Sequence, residues 1–202
     1  FYPTKNLAAM GDGGALVIRL TGSDLVRVRQ YRQYGWNDSR EAVQFGINSR
    51  LDEIQALILH QKLLNLDRHI IQRRKVAEWY RQSLEPLLNK KHVIELPSDG
   101  HCWSHSFNLY NIVVMPQARD ALLANLNDNG IPSSIYYPKA CHQHSYLKQH
   151  YRHLPNTEKL VSGLMSLPLH PYMKMRNVLD VTRPSSTWNF LFKKEILSDS
   201  IV

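Results

Sequence analysis

The longest regular pattern in this sequence is a run of apolar residues at helical spacing from Ser49 to Leu84. Its main apolar positions are Leu51, Ile54, Leu57, Ile58, Leu63, Leu66, Ile70, Trp79 and Leu84. Ser49 followed by Asp52 resembles a capping box with Asp in place of Glu, so we expect a helix to start there. A single helix of this length exceeds the usual globular range, which predicts a break or kink within it. The basic cluster formed by Arg68-His69 and Arg73-Arg74-Lys75 is predicted to be a solvated face.

Shorter patterns flank this run and predict a mixture of strands and helices. The predicted strands are Ala15–Leu20, Phe107–Met115 and Ile131–Tyr137, and the predicted helices are Leu25–Tyr34, Gln117–Asn129 and Glu158–Leu164. Pro116 suits the first turn of the second of these helices, and Gly130 suits the residue just past its end. The strand, helix and strand that follow residue 106 predict an α/β or α+β unit.

Composition excludes several classes of protein. Hydrophobic residues make up 43% of the sequence and charged residues 21%, which is typical of a packed globular protein and not of a disordered one. No apolar stretch approaches the roughly 18 residues that indicate a membrane-spanning helix. Two cysteines cannot form a disulfide framework, so we expect a reducing, cytoplasmic location. The net charge of +8 suits polyanions, but no recognisable nucleic-acid-binding motif accompanies it.

Lys5 is the residue with the most distinctive chemistry. It lies in the segment Phe1–Leu7, just before the glycine-rich turn Gly11–Gly14. A lysine on a constrained loop can act as a Schiff-base nucleophile if burial or a cationic neighbour lowers its pKa. By spacing alone this is a weak signal, because most loop lysines are solvated surface charges.

The amino-acid sequence around Lys5 closely resembles the lysine segment of the DegT/DnrJ/EryC1/StrS family. The members of this family are pyridoxal-phosphate aminotransferases that act on keto sugars linked to nucleotides. The resemblance rests on Phe1–Leu7 and Gly11–Ala15, and on a second signature over Gly46–Ala56. It continues to about residue 181 through Tyr34-Gly35, Leu63–Asp67, Tyr136-Tyr137-Pro138, His142 and Ser166–Pro171. It implies an α/β fold, part of a fold-type-I aminotransferase. Residues 1–58 are then the remnant of the large cofactor-binding domain, 59–181 the small C-terminal domain with a long bridging helix, and 182–202 an atypical tail.

The resemblance also implies roles for individual residues. Lys5 falls where the family places the lysine that holds pyridoxal phosphate covalently and acts as general base. Asn48 falls where the family reaches across a homodimer interface to the cofactor phosphate, with Arg50 beside it. The substrate side is expected to involve Tyr2, Tyr137 and His142. For Tyr137, packing in a core is an equally good interpretation.

The implied activity is transfer of an amino group, typically from glutamate, to a keto sugar of a nucleotide-linked deoxyhexose. The sequence is more similar to family members that act at C3 of the sugar than to those that act at C4. The sequence starts at Phe1, and the half that supplies most of the family's cofactor pocket precedes that point, so we expect a fragment. Whether it is an enzyme therefore stays open. The alternatives are an inactive remnant or regulatory protein of the same family, and a nucleic-acid-binding module.

A metal site is the remaining alternative for the histidines and cysteines. His101–His105 and Cys141–His144 together contain two thiols and four imidazoles. Neither cluster has the spacing of a structural zinc site, so we expect no metal there.

Overall fold

The computed structural model describes residues 1–19, 22–88, 93–98, 105–150 and 152–182. The protein divides into two compact units, Phe1–Asp67 and a second one that begins at Arg68. The mixed α/β class predicted from the sequence is confirmed. The predicted domain boundary near residue 58 stays a prediction.

The first unit contains two helices connected by long irregular segments. Helix α1 covers Ser23–Tyr31, which confirms the predicted short helix, and helix α2 covers Glu53–Leu63. The predicted strand at Ala15–Leu20 is wrong over residues 15–19, which form no strand within the described part of the protein. Leu16 and Val17 are 70% and 94% exposed, so these two apolar side chains are largely unpacked among the described residues.

The long helical run is broken, as predicted. Helix α2 ends at Leu63 and helix α3 covers Leu66–Leu88, with a turn at residues 64–65 between them. The predicted start at Ser49 is wrong, because α2 begins at Glu53 after Asp52. Asp52 is itself the N-cap of α2, with extended backbone angles and no side-chain capping hydrogen bond, so it does not take the third helical position that a capping box with Ser49 requires.

The second unit is built on a three-stranded antiparallel sheet in the order β1-β2-β3. The strands are β1, Val93–Glu95; β2, Tyr110–Val114; and β3, Leu164–Leu167. Its remaining elements are α4, Pro116–Asp128; two 3-10 helices, Cys141–Gln143 and Ser145–His150; α5, Pro155–Gly163; and α6, Met175–Thr182. The sequence correctly predicted the strand around β2 and both ends of α4, since Pro116 opens that helix and Gly130 follows it at a φ of 73°.

The predicted β-α-β succession is wrong. Residues 131–137 form only an isolated bridge, from Ser134 to Ser166, and the strands that pair with β2 are β1 and β3. Leu164 was expected to end a helix but begins β3 directly after α5. Antiparallel pairing of β2 with β3 leaves the segment after α4 beside the edge of the sheet, where it makes two hydrogen bonds between Ser134 and Ser166.

The core of the second unit lies between α3 and the sheet, with contributions from α4 and α6. Its fully buried side chains include Val76, Tyr80, Leu84, Tyr110, Ile112, Leu122, Leu126, Met165 and Val178. Tyr80 stacks on Tyr110 with ring centroids 4.8 Å apart and donates a hydrogen bond to the carbonyl oxygen of Pro168. Burial, and to a lesser extent the neighbouring Tyr110, raises the pKa of Tyr80 well above its usual value.

Arg73 departs from the predicted solvated face. It is only 9% exposed, and its Nη1 atom donates to the carbonyl oxygens of Phe107, Asn108 and Leu169 at 3.0, 3.3 and 3.2 Å. Burial lowers the pKa of this guanidinium. Arg73 therefore connects α3 to the segments that flank β2 and β3, a role that a basic run in a sequence does not reveal.

No helix among the described residues combines the length and the apolar character needed to cross a membrane.

Candidate active site

Lys5 lies midway along a closed loop, Phe1–Ala9. The amide of Ala9 donates to the carbonyl oxygen of Phe1 at 2.8 Å, which joins the two ends of the loop. The amide of Lys5 donates to the carbonyl oxygen of Tyr2 at 2.9 Å and so forms a tight turn. The side chains of Lys5 and Tyr2 are both exposed. The loop thus fixes the backbone at Lys5 while leaving the ε-amino group accessible.

Helix α2 contacts the backbone that follows Lys5 at two points. Gln55 Oε1 accepts a hydrogen bond from the amide of Met10 at 2.9 Å, and Lys62 Nζ donates to the carbonyl oxygen of Ala8 at 2.8 Å. Ala8 and Ala9 are buried, at 7% and 2% exposure. Neither Gln55 nor Lys62 was singled out from the sequence, although a spacing of seven residues on a helix already places them on one face.

The glycine-rich turn after the loop lies beside Gln55 of α2 and Leu51 before it. A Cβ at Gly11 would lie 2.8 Å from Gln55 Nε2, and one at Gly13 would lie 3.0 Å from Leu51 Cδ1. The amino group of Phe1 donates to the carbonyl oxygen of Gly13 at 2.6 Å. Both atoms are the far ends of flexible side chains, so a small side chain at either glycine would displace Gln55 or Leu51 rather than the turn.

Asn48 and Arg50 lie on the segment that leads into α2, and both are exposed. Asn48 forms an antiparallel bridge with Gln33. The neighbouring amides of Ile47 and Ser49 donate to the carbonyl oxygens of Tyr31 and Arg32 at 2.7 and 2.9 Å. This pairing fixes the backbone at Asn48 against the end of α1.

Two glycines allow the backbone to cross itself just before Asn48. A Cβ at Gly35 would lie 1.9 Å from the carbonyl oxygen of Gln44, and one at Gly46 would lie 2.0 Å from the amide nitrogen of Gly35. Gly35 also has a φ of 74°, which favours glycine. Tyr34-Gly35 and Gly46 were already part of the family resemblance in the sequence. Nothing in the sequence indicated that the two glycines lie in contact.

The other two predicted site residues, Tyr137 and His142, belong to the second unit. Tyr137 is 68% exposed and meets Tyr136 edge-on, which excludes the alternative that it packs in a core. His142 is mostly buried, and its Nε2 lies 2.9 Å from Glu158 Oε1. The same carboxylate accepts from the amide of Leu154 at 3.0 Å at the start of α5.

Glu158 has a second histidine neighbour that sequence reasoning missed. His153 Nδ1 lies 3.2 Å from Glu158 Oε2, and the His153 side chain is 69% exposed. Glu158 therefore joins the Cys141–Gln143 turn to the start of α5.

The rival metal interpretation gains no support from the described residues. Residues 101–104 of the first histidine cluster lie outside them. No group of three or more potential metal ligands occurs among the residues that are described, and Cys141 is an exposed free thiol.

The second unit also contains an open cavity of about 560 Å³ beside β2 and α5. Its lining combines apolar side chains such as Leu109, Val113 and Leu160 with the polar Asn111 and Thr157. None of the predicted site residues lines this cavity.

The donor set of the first unit suits the cofactor that the resemblance implies. Lys5 offers a primary amine for an aldehyde, and Asn48 and Arg50 offer N–H donors for a phosphate. All three side chains are exposed. No hydrogen bond from the side chains of Asn48 or Arg50 to another described residue occupies these donors, so they fit the chemistry of a phosphorylated aldehyde.

Comparisons with known proteins relate this protein to one family along nearly its whole length. A model of the DegT/DnrJ/EryC1/StrS aminotransferase family matches residues 1–184. The sequence is 36% identical to a UDP-N-acetyl-3-dehydro-alpha-D-glucosamine 3-aminotransferase of Acidithiobacillus ferrooxidans, covering 88% of this chain and 46% of that protein. It is 38% identical to a protein of Geobacillus stearothermophilus named as a pleiotropic regulatory protein, covering 86% of this chain and 46% of the relative.

Solved structures give the same relationship. A crystal structure of DesV of S. venezuelae in complex with a ketimine intermediate matches with a TM-score of 0.79 and 30% identity, over 91% of this chain and 49% of that one. A structure of NtdA of Bacillus subtilis with bound cofactor PMP matches with a TM-score of 0.75 and 27% identity, over 91% and 45% of the two chains. The chain spans about half the length of the curated relatives it matches.

Proposed function

The chain belongs to the DegT/DnrJ/EryC1/StrS aminotransferase family, and on that premise we propose that it is part of a pyridoxal-phosphate-dependent sugar aminotransferase. The complete enzyme transfers an amino group, typically from glutamate, to C3 of a keto sugar linked to a nucleotide. The observation that carries this proposal is the exposed Lys5 on a loop whose two ends are joined by a backbone hydrogen bond. The name of the Acidithiobacillus ferrooxidans relative, a 3-aminotransferase, supports the choice of C3.

In this proposal Lys5 has two tasks. Its Nζ would hold the cofactor covalently until the amine of the amino donor displaces it, and the released lysine amine would then take the proton from Cα of that donor. Bound pyridoxal phosphate supplies the electron sink that makes this Cα proton acidic. The closed loop limits the positions that the Lys5 backbone can adopt, which favours repeated proton transfer at one place.

The remaining site residues bind and orient. Asn48 donates to the cofactor phosphate across a homodimer interface, and Arg50 adds a cationic donor beside it. Tyr2, Tyr137 and His142 contact the nucleotide-linked sugar. We further propose a cytoplasmic location, because two cysteines in 202 residues suit a reducing compartment.

A second candidate is a non-catalytic regulatory protein of the same family. The name of the relative from Geobacillus stearothermophilus favours it. The two candidates differ in whether Lys5 reacts with the cofactor in preference to the other lysines of the protein.

The test is to incubate the purified protein with pyridoxal phosphate, reduce it with borohydride and map the label by mass spectrometry. We expect the label to concentrate on Lys5 and a visible absorbance band to disappear in a Lys5→Ala variant. A Lys174→Ala variant is the control, since Lys174 is exposed in the other unit. A Lys5→Ala variant that keeps the band at full strength would contradict the assignment of Lys5.

A further inference from the structure

We propose that Lys62 and Gln55 are positioning residues for Lys5, because they fasten the loop that carries it to helix α2. The inference rests on the proposed function, since it gives Lys62 and Gln55 a part in presenting Lys5 to the cofactor. Lys62 itself touches neither cofactor nor substrate in this proposal. Its ammonium group instead binds the backbone three residues after Lys5.

The contact made by Lys62 is an interaction between a charged donor and a neutral carbonyl. Nζ lies 2.8 Å from the oxygen of Ala8, in a partly buried setting. Hydrogen bonds from ionised donors are shorter and stronger than those between neutral groups. The carbonyl of Ala8 belongs to a buried residue, so loss of its donor would leave a polar atom with reduced access to water.

Gln55 provides a second point of attachment two turns away on the same helix. Seven residues of α-helix rise about 10.5 Å, so two side chains from different turns of α2 converge on the short stretch Ala8–Met10. Gln55 Oε1 accepts from Met10 while Lys62 donates to Ala8. One bond uses a backbone amide and the other a backbone carbonyl, so the pair fixes direction as well as distance.

Lys5 depends on these bonds because its own side chain is exposed. An exposed lysine is not held by packing, so its place follows from the loop backbone. The bond from Ala9 to Phe1 closes the loop but does not attach it to anything else. The hydrogen bonds that Ala8 and Met10 make with α2 provide this attachment.

The experiment uses the 202-residue protein and measures borohydride-fixed pyridoxal phosphate on Lys5 relative to the exposed Lys159 in the same molecule. In Lys62→Met, which keeps the length of the side chain but loses the donor, we expect this ratio to fall about fivefold, as for the loss of one hydrogen bond. Lys62→Arg retains a charged donor and is expected to restore most of the ratio. Lys174→Met removes an exposed lysine elsewhere and is expected to leave the ratio unchanged.

Hydrogen exchange of the Ala9 and Met10 amides gives a readout that needs no cofactor. Exchange at these amides should rise in Lys62→Met and should stay slow in Lys62→Arg. A general loss of structure would raise exchange throughout the protein and would alter labelling of Lys159 as well. A positioning role changes Lys5 and the amides beside it selectively.

A second pair of variants covers the case in which Lys62→Met fails to fold. Gln55→Glu keeps an acceptor for the Met10 amide, whereas Gln55→Met removes it. We expect the labelling ratio and slow exchange to survive in Gln55→Glu and to fall in Gln55→Met.

The outcomes separate the two proposals. If Lys5 of the unaltered protein is labelled no more than Lys159, the proposed function fails, and the exchange measurement still decides whether Lys62 holds the loop. If Lys62→Met folds but changes neither the labelling ratio nor exchange at Ala9 and Met10, the positioning role is overturned.

Discussion

The two compact units are stabilised in different ways. The second unit surrounds its sheet with a continuous apolar core that includes Tyr80, Leu84, Ile112 and Met165. In the first unit, the buried apolar residues among those described are Ala8, Ala9 and Leu59. Its form depends instead on backbone hydrogen bonds, on glycines that allow close crossings, and on Gln55 and Lys62. The unit that carries Lys5 therefore presents its chemistry from loops, while the unit that carries His142 has a packed core.

The largest expected effect tests the packed core. Leu84→Ala, at a position with no exposure, should lower the free energy of unfolding by about 3–4 kcal/mol through lost burial and the remaining cavity. The matched change in the first unit is Leu57→Ala, at a position 63% exposed, and should cost less than about 0.5 kcal/mol. Urea denaturation followed by circular dichroism measures both. Equal losses would contradict the difference between the units.

Removal of the buried guanidinium should have the next largest effect. Arg73→Met leaves the carbonyl oxygens of Phe107, Asn108 and Leu169 without this donor, and the expected loss is about 2–3 kcal/mol. Arg68→Met, on the same helix but exposed, is the control and should be close to neutral. The same denaturation measurement applies. A neutral Arg73→Met would mean that the helix is held to the flanking segments by packing alone.

A close backbone approach gives a third test. A Cβ at Gly163 would lie 2.2 Å from the carbonyl oxygen of Val114, so Gly163→Ala should cost about 2 kcal/mol by forcing α5 away from β2. Gly14 in the first unit has open space around it, and Gly14→Ala should not destabilise the protein. Thermal denaturation of the two variants measures the change in melting temperature that each substitution causes. A melting temperature unchanged by Gly163→Ala would show that α5 can shift freely.

The smallest expected effect concerns alkaline pH. Burial raises the pKa of Tyr80, so the folded protein keeps the phenol proton while the unfolded protein loses it near pH 10, about the ordinary tyrosine value. Stability from this group is therefore fully present below about pH 10 and is lost as pH rises towards the folded pKa. Tyr80→Phe should cost about 1 kcal/mol at neutral pH, because the bond to Pro168 disappears.

Above about pH 10 the two proteins should converge in stability, because phenylalanine does not ionise. Urea midpoints measured from about pH 7 to pH 11, on either side of the ordinary tyrosine pKa, provide the comparison. Tyr31→Phe is the control from the first unit, since Tyr31 is 47% exposed. A Tyr80→Phe difference that stays constant across this range would exclude ionisation of Tyr80 as a source of alkaline destabilisation.

Elements set by local chemistry were predictable from the sequence. Pro116 and Gly130 defined both ends of α4, and the β-branched run around Ile112 defined β2. The break between α2 and α3 followed from length alone. Residues 15–19 and 131–137 were predicted as strands and are not, because a strand exists only where another strand pairs with it.

The sequence by itself determined the family, through the sequence motif around Lys5 and the Gly46–Ala56 signature. It also predicted helices α1 to α5, because propensity, caps and periodicity act within a few residues, but it did not predict α6 or the two 3-10 helices. Only the tertiary structure decided that Arg73 is buried, that Glu158 binds His142, and that Lys62 reaches Ala8. Each of these facts depends on a contact between residues distant in the sequence, about which neither periodicity nor local spacing carries information. A charged residue in a sequence looks the same whether it faces water or holds a backbone carbonyl.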